Sequence, residues 1–293
     1  MRYNVTHVTE YRYREPVPLG HSIVRLKPRQ MDRQELLAHS LELTPNPIVR
    51  NERIDFFGNP VTWFSLQEPH DRLRIISRST VEVKPLDLST GFGWPAWDHV
   101  ARQLQDWDPE LLDAKQFLFD SPHVVTDVEL AEYARSSFAP GRPLLDCVTE
   151  LNERIYNDFT FDIEMTTIGT PIVEVLHHRH GVCQDFAHLQ IGCLRSLGLA
   201  ARYVSGYLNT APPEEEARLV GADASHAWVS VFFPELGWID FDPTNGLLPT
   251  DGHIAVGWAR DYSDISPVRG VVVGGSRHWL NVSVDVEPVS AAG

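Results

Sequence analysis

Cysteine is scarce in this chain of 293 residues, which has only Cys147, Cys183 and Cys193. Three is an odd number and the spacing is irregular, so the pattern argues against a disulfide framework and fits a reducing compartment. No apolar stretch approaches the roughly 20 residues that a membrane helix needs, and the N-terminus lacks the apolar core of a signal peptide. The sequence therefore predicts reduced thiols, no membrane partner and a cytoplasmic location.

Positive charge is also in short supply. The chain has 25 basic and 40 acidic side chains and a formal net charge of -15, which repels the phosphate backbone of nucleic acids. The GxSxG pattern of serine hydrolases is missing, as are a CxxC or HxxxH spacing for zinc and a DxDxDG calcium loop. We therefore expect no nucleic-acid partner, no metal and no cofactor, and nothing in the sequence indicates an oligomeric state.

The chain is long enough for two domains, since one domain usually holds roughly 100 to 200 residues. Strand-like runs bounded by Pro, Gly, Asn or Asp fill residues 1–88 and predict an antiparallel β module. Gly, Ser, Thr and Pro concentrate in DLSTGFGWPAW, from Asp87 to Trp97. The boundary is placed there, which gives domains at 1–90 and 91–293.

The second domain opens with helices and ends with strands. Its hydrophobic period changes from 3.6 residues to two along the chain, and the tail runs GVVVGG and HWLNVSVDVEP also look like strands. The sequence therefore predicts an α+β fold in which a β-rich N-terminal domain precedes a domain of helices and antiparallel sheet.

The stretch GVCQDFAHL, from Gly181 to Leu189, places a cysteine at a predicted helix start. The positive end of a helix stabilises a thiolate, which is the nucleophilic form of cysteine. Gly181 would end the preceding helix and let the chain turn tightly, so that a substrate could approach the sulfur of Cys183. Free cysteine is more often simply buried, and Cys147 and Cys193, on apolar helical faces, are assigned to that class.

A reactive thiol needs a base, normally histidine, and a third group that orients the imidazole. SHAWVSVFFPELGWIDFDPTNG predicts a hairpin of two strands. A loop of residues 234–236 would set Asp242 opposite Trp228, which leaves His226 on the diagonal, roughly 7 to 8 Å away. Asp240 shares a strand face with Asp242, so strand geometry leaves both open as the orienting residue.

Three histidines just before this cysteine offer an alternative interpretation as a zinc site. His177, His178 and His180 lie close to Cys183 in sequence, and His and Cys are the usual zinc ligands. Three histidines on one short helical stretch cannot all face the same metal ion. We therefore do not favour a zinc site.

Several motifs together resemble one family. HGVCQDFAHL, ASHAWVSVFFPELGWIDFDPTNG and HIAVGWARDYSDISPVRG look like the bacterial branch of the transglutaminase-like cysteine enzymes. The opening THVTEYRYREPV, with RLKPR and FFGNPV, resembles the β-rich N-terminal region that accompanies this core in bacteria. The resemblance implies a papain-like core, in which a nucleophile helix packs on an antiparallel sheet, and a catalytic triad of Cys183, His226 and Asp242.

The resemblance also implies a reaction. The Cys183 thiolate attacks an amide carbonyl of a peptide or amide substrate, His226 protonates the leaving amine, and the acyl group passes to water or to an amine acceptor. The backbone N–H of Cys183 is one expected oxyanion donor, and Gln184 is a second candidate. The superfamily also contains inactive relatives, so a catalytically silent binding or scaffold module is the alternative function.

Overall fold

The computed structural model describes residues 1–88, 93–209, 225–234 and 236–289. The predicted domain boundary, between residues 90 and 91, lies outside the described residues. The described chain combines helices with antiparallel sheets, which confirms the predicted α+β class. None of its described helices is both long and apolar enough to cross a membrane.

Two four-stranded antiparallel sheets make up the β-rich part of the molecule. Their N-terminal strands are β1 (Arg2–Val17), β2 (Leu19–Val24), β3 (Gln34–Thr44), β4 (Val49–Ile54), β5 (Pro60–Leu66) and β6 (His70–Val83). Tyr3, Val5 and His7 of β1 are buried while Arg2 and Asn4 are exposed, as the two-residue period of a half-buried strand requires. This part of the fold confirms the predicted β module.

The core that follows contains seven α-helices within the described residues. They are α1 (Trp97–Gln105), α2 (Leu112–Lys115), α3 (Val128–Arg135), α4 (Leu144–Asp158), α5 (Ile172–His178), α6 (Cys183–Ser196) and α7 (Tyr262–Ile265). Short 3-10 turns occupy Pro109–Leu111 and Gln116–Leu118. The hydrophobic period of helices such as α4 is helical because one face of the helix enters a shared core, whereas residues 185–195 of α6 are all buried.

The core sheet has the spatial order β11-β10-β9-β12. The strands of the core are β7 (Thr160–Phe161), β8 (His180–Gly181), β9 (Ala201–Leu208), β10 (His226–Phe233), β11 (Gly237–Phe241) and β12 (His253–Ala259). Helix α6 packs against β9 and β10, and all eight residues of β9 are buried. The predicted arrangement of a nucleophile helix on an antiparallel sheet is therefore confirmed.

The tail of the chain returns to the N-terminal sheets. Strand β13 (Val268–Val273) pairs with β2, and β14 (His278–Pro288) pairs with β1 over eleven residue pairs. The sequence interpretation put these runs in the second domain. A two-residue period identifies a strand but does not name its partner, and the long edges of β1 and β2 supply the backbone hydrogen bonds that the tail needs.

Candidate active site

Cys183 is the first residue of α6 and is half-buried. The N-cap is Val182, whose backbone is extended. The Asp185 side chain folds back to accept a hydrogen bond from the Val182 N–H at 2.9 Å and from Thr166 Oγ1 at 2.6 Å. The thiol therefore lies at the positive end of a 14-residue helix whose start is fixed by a carboxylate.

The helix cap formed by Asp185 explains why residue 181 is a glycine. A Cβ at Gly181 would lie 2.8 Å from the Cβ of Asp185 and 2.9 Å from its Oδ2, closer than carbon atoms can approach. Asp185 therefore occupies this space, which was expected from the sequence to admit a substrate. Gly181 also does not end the preceding helix as predicted, because α5 stops at His178 and Arg179 takes the left-handed conformation with φ 59°.

Strands β10 and β11 form the predicted antiparallel hairpin, in which Val229 lies opposite Phe241. The next pair in this register is Trp228 and Asp242, as a three-residue loop requires. His226 comes two residues before Trp228 on the same strand face, so it lies diagonal to Asp242. Glu235 of the loop lies outside the described residues.

His226 and Asp242 form a fully buried hydrogen-bonded pair. His226 Nε2 lies 2.8 Å from Asp242 Oδ2, and the two residues are 1% and 0% exposed. Asp242 also accepts hydrogen bonds from the backbone N–H groups of Thr244 and Asn245 and from Asn245 Nδ2. Burial would raise the pKa of Asp242, but the charge and hydrogen bond of His226, followed by those of a second histidine, His253, hold that pKa far below its ordinary value.

Cys183 completes the arrangement. Burial lowers the pKa of His226, whereas the Asp242 carboxylate and then the Cys183 side chain raise it, to about 10. Asp242 occupies Nε2, so Nδ1 is the ring nitrogen left for the thiol, and no hydrogen bond within the described residues occupies that buried atom. The structure thus brings the three predicted side chains together.

His253 joins the group, although the sequence interpretation did not identify it. It is 3% exposed and sits at the start of β12, and its Nε2 lies 3.0 Å from the same Asp242 Oδ2 that His226 contacts. The ring of Trp228 stands edge-on to it, with centroids 5.3 Å apart. The available signal was a histidine at the start of HIAVGWARDYSDISPVRG, one of the motifs that carry the family resemblance.

Asp240, the other candidate for the orienting residue, points elsewhere. Its Oδ2 pairs with Arg33 Nη2 at 2.9 Å. Strand geometry alone did not choose between Asp240 and Asp242. Their side-chain partners differ, since Asp240 contacts Arg33 and Asp242 contacts His226.

His226, Asp242 and His253 also form the one group in the described part of the chain whose ligand atoms lie close enough together for a metal ion. Both Nε2 atoms approach one carboxylate oxygen at 2.8 and 3.0 Å, which are hydrogen-bond distances. Ligands on a tetrahedral zinc ion lie roughly 3.3 Å apart. The spacing fits a hydrogen-bonded group better than a metal site, and the expected absence of a metal stays a prediction.

The histidines that precede Cys183 do not converge on it. His177 Nε2 lies 2.7 Å from Glu129 Oε2, and His180 Nδ1 lies 3.8 Å from Asp162 Oδ2. Separate carboxylates engage them, which argues against the alternative zinc site.

The two other cysteines are buried in the core. Burial raises the pKa of Cys147 to about 11 and that of Cys193 to about 12. Both thiols are fully inaccessible to solvent. Their environment is that of structural cysteines, as the sequence indicates.

Gln184 and Tyr203 are two candidate donors for an oxyanion at Cys183. Gln184 is the second residue of α6 and is half-buried. Tyr203 of β9 is 3% exposed, and burial, followed by the negative charge of Cys183, raises its pKa well above the ordinary value. Its phenol therefore keeps its proton and can act as a hydrogen-bond donor beside the sulfur.

Comparison with known sequences gives two family matches. Residues 3–82 match the bacterial transglutaminase-like N-terminal region, and residues 131–243 match the transglutaminase-like superfamily core. The second match contains Cys183, His226 and Asp242.

Two relatives are similar to this chain over different lengths. An uncharacterized protein of Mycobacterium tuberculosis is 44% identical over 300 residues, which cover 98% of this chain and 93% of the relative. A protein-glutamine gamma-glutamyltransferase of Pseudomonas aeruginosa is 32% identical over 127 residues, or 41% of this chain and 18% of that protein.

A solved structure shares the whole fold. It comes from Cytophaga hutchinsonii and is described as a proposed cysteine protease, with a TM-score of 0.76 and 22% identity over 100% of this chain and 92% of that chain. The family matches, the extended relative and the shared fold lead to one conclusion: the chain belongs to the transglutaminase-like superfamily.

Proposed function

We propose that the protein is a thiol-dependent enzyme that hydrolyses amide bonds or transfers their acyl groups through Cys183, His226 and Asp242. The observation that carries the proposal is the buried His226, held by Asp242 on one ring nitrogen and open to Cys183 on the other. A thiol, a base and an orienting carboxylate in this order are the parts that nucleophilic cysteine catalysis requires.

The proposed steps follow from the arrangement of Cys183, His226 and Asp242. His226 is charged near neutral pH and holds a proton on Nδ1. The sulfur of the Cys183 thiolate forms a bond to the carbonyl carbon of the substrate as the electrons of the carbonyl double bond move to the oxygen. The C–N bond then breaks as His226 donates this proton to the departing amine. In the second half, water or an acceptor amine attacks the carbonyl carbon of the thioester while His226 takes its proton. The C–S bond then breaks, and the acyl product leaves.

Asp242 fixes which nitrogen of His226 faces the sulfur. It accepts the Nε2–H and stabilises the charged imidazolium. Because Asp242 also accepts hydrogen bonds from Thr244, Asn245 and His253, its carboxylate is held in one orientation.

The oxyanion of the tetrahedral intermediate needs donors near the sulfur. The Cys183 N–H at the start of α6 is one of them. Gln184 remains the predicted second donor, and the protonated phenol of Tyr203 is an alternative from β9. Tyr203→Phe and Gln184→Ala discriminate between them, since loss of one important donor costs roughly a hundredfold in kcat.

The superfamily fold suggests peptide or amide substrates. The Pseudomonas aeruginosa relative, which is named a protein-glutamine gamma-glutamyltransferase, supports the side-chain amide of glutamine as the first acyl donor to test, with a primary amine as acceptor. A cytoplasmic location remains a prediction.

The decisive experiment is mass spectrometry of glutamine peptides and dipeptide amides after incubation with the enzyme, with and without an added amine. Conversion of amide to acid indicates hydrolysis, and incorporation of the amine indicates transfer. Cys183→Ala should abolish both products, whereas Asp240→Asn and EDTA should leave them. Substrate binding by the wild-type chain without any product would favour the silent scaffold module instead.

A further inference from the structure

A second polar site lies on the outer face of the core sheet. Its central residue is Arg202 of β9, which points away from α6 because its neighbours Ala201 and Tyr203 enter the helix-side core. The guanidinium carbon of Arg202 lies 3.7 Å from the ring centre of Trp258 and 4.1 Å from that of Trp238. Two indole rings therefore enclose one buried cation.

Arg202 is buried without the hydrogen bonds that a buried cation normally needs. The residue is 7% exposed, its Nε is inaccessible and unpaired, and its guanidinium donates to no residue in the described ranges. Burial lowers the pKa of Arg202 to about 9, so it stays charged at neutral pH. Leaving a charged donor unpaired in the interior is costly.

The charged groups near Arg202 do not supply the missing hydrogen-bond acceptor. Asp240 is the closest carboxylate in its electrostatic effect, but it is engaged by Arg33 at 2.9 Å. Ser230 lies between Arg202 and Asp240 in the strand register, and its Oγ is buried without a partner. Arg29 adds a second cation 3.5 Å from the Trp258 ring centre. The cavity is lined by the carboxylates of Asp32 and Asp240 as well as by Arg33 and Arg202, and within the described residues neither carboxylate pairs with Arg202.

A cavity of about 490 Å³ adjoins Arg202, within the range of small-molecule sites. The N-terminal segment at residues 30–33 forms one side, and the core sheet forms the other. Its wall also contains the apolar side chains of Met31, Leu86, Val204 and Leu236.

This cavity is separate from the Cys183 site. Arg202 is four residues from Gly206, which pairs with His226, so the two centres are roughly 13 Å apart along the strand.

We propose that this cavity binds a small organic carboxylate with an apolar body. The carboxylate accepts hydrogen bonds from the Nη groups of Arg202, as a planar guanidinium favours, and the body lies against the apolar wall. Trp238 and Trp258 hold the guanidinium in place. The site does not depend on the proposed catalytic activity.

Binding of 3-phenylpropionate to the full chain carrying Cys183→Ala tests this proposal by calorimetry. Saturable binding is expected, with the neutral amide 3-phenylpropanamide at least about tenfold weaker. Arg202→Lys, which keeps the charge but loses the planar fork, should weaken binding of the acid by about tenfold or more. Arg53→Lys on the exposed strand β4 is the matched control and should bind like the parent.

Three results would overturn the proposal: equal affinity for acid and amide, unchanged affinity in Arg202→Lys, or no saturable binding up to about 10 mM. Equal affinity for inorganic sulfate would overturn the assignment to an organic carboxylate. If Arg202→Lys does not fold, the comparison of acid with amide in the parent chain still decides.

Discussion

The side chain of Asp185 fills the space that a Cβ at Gly181 would occupy, 2.8 Å from its own Cβ. This contact sets the start of the helix that carries Cys183, because Asp185 caps the Val182 N–H. The glycine is therefore a structural requirement of the site.

Gly181→Ala should displace Asp185 and destabilise the protein by roughly 2 to 4 kcal/mol, the sum of a lost helix cap and an overpacked contact. Thermal unfolding and the rate of Cys183 alkylation measure the two effects. Gly169→Ala is the control, because nothing lies within 4 Å of its added Cβ. Equal losses in both variants would contradict this account of Gly181.

Cys183 should be the fast-reacting thiol. Cys147 and Cys193 are buried, and burial raises the pKa of each, whereas Cys183 is partly accessible beside His226. Limiting iodoacetamide near neutral pH, followed by peptide mapping, should find the label on Cys183. Preferential labelling of either buried cysteine in the folded chain would refute the assignment.

Asp242→Asn should reduce kcat by roughly 10²- to 10⁴-fold, because the amide cannot stabilise charged His226 or fix its tautomer. Asp240→Asn removes the partner of Arg33 and a carboxylate near Arg202, and it should keep most of the activity. Steady-state kinetics with circular dichroism separates catalysis from folding. The opposite ranking of the two variants would make Asp240 the orienting residue.

His253 should act as a positioning residue for Asp242. Its hydrogen bond is one of the causes that lower the pKa of Asp242, so His253→Leu should raise that pKa and move the acid limb of the activity profile to higher pH. A hydrogen bond to a charged group contributes about 1.5 to 3 kcal/mol, which predicts a loss of activity of roughly 10- to 100-fold.

His253→Gln places an amide nitrogen near the position of the histidine Nε2 and should restore much of the loss. If His253→Leu does not shift the pH profile, His253 contributes only packing.

The stability of the fold should depend on His226 at alkaline pH. Its pKa is raised from 6.5 to about 10 in the folded state, so folding favours the charged ring. The resulting stabilisation is fully present below about pH 6.5 and is lost as the pH rises through about 10. Melting temperatures between pH 6 and 10.5 should therefore fall more steeply in the wild-type chain than in His226→Gln.

Cys183→Ala removes one of the causes that raise the pKa of His226, so the alkaline loss should shift to lower pH. Identical pH dependence in the wild-type chain and His226→Gln would show that His226 does not carry this charge.

The sequence alone determined the elements whose patterns are local. A helix start at Cys183 follows from the 3.6-residue period after it, and the hairpin register of His226 and Asp242 follows from strand alternation and loop length. The antiparallel β module before residue 88 rests on the same kind of signal. In each case the residues that form the pattern are neighbours in the chain.

Features that depend on contacts between residues far apart in the chain became known only from the tertiary structure. Strand geometry had left Asp240 and Asp242 open, and only the family resemblance favoured Asp242; the structure shows Asp242 beside His226 and Asp240 beside Arg33, and it added His253 from a later strand. It also returned β14 to the edge of β1 and enclosed Arg202 between two tryptophans. Local periodicity fixes which face of a strand a side chain takes, but the choice of partner depends on contacts between residues far apart in the chain, which no local pattern encodes.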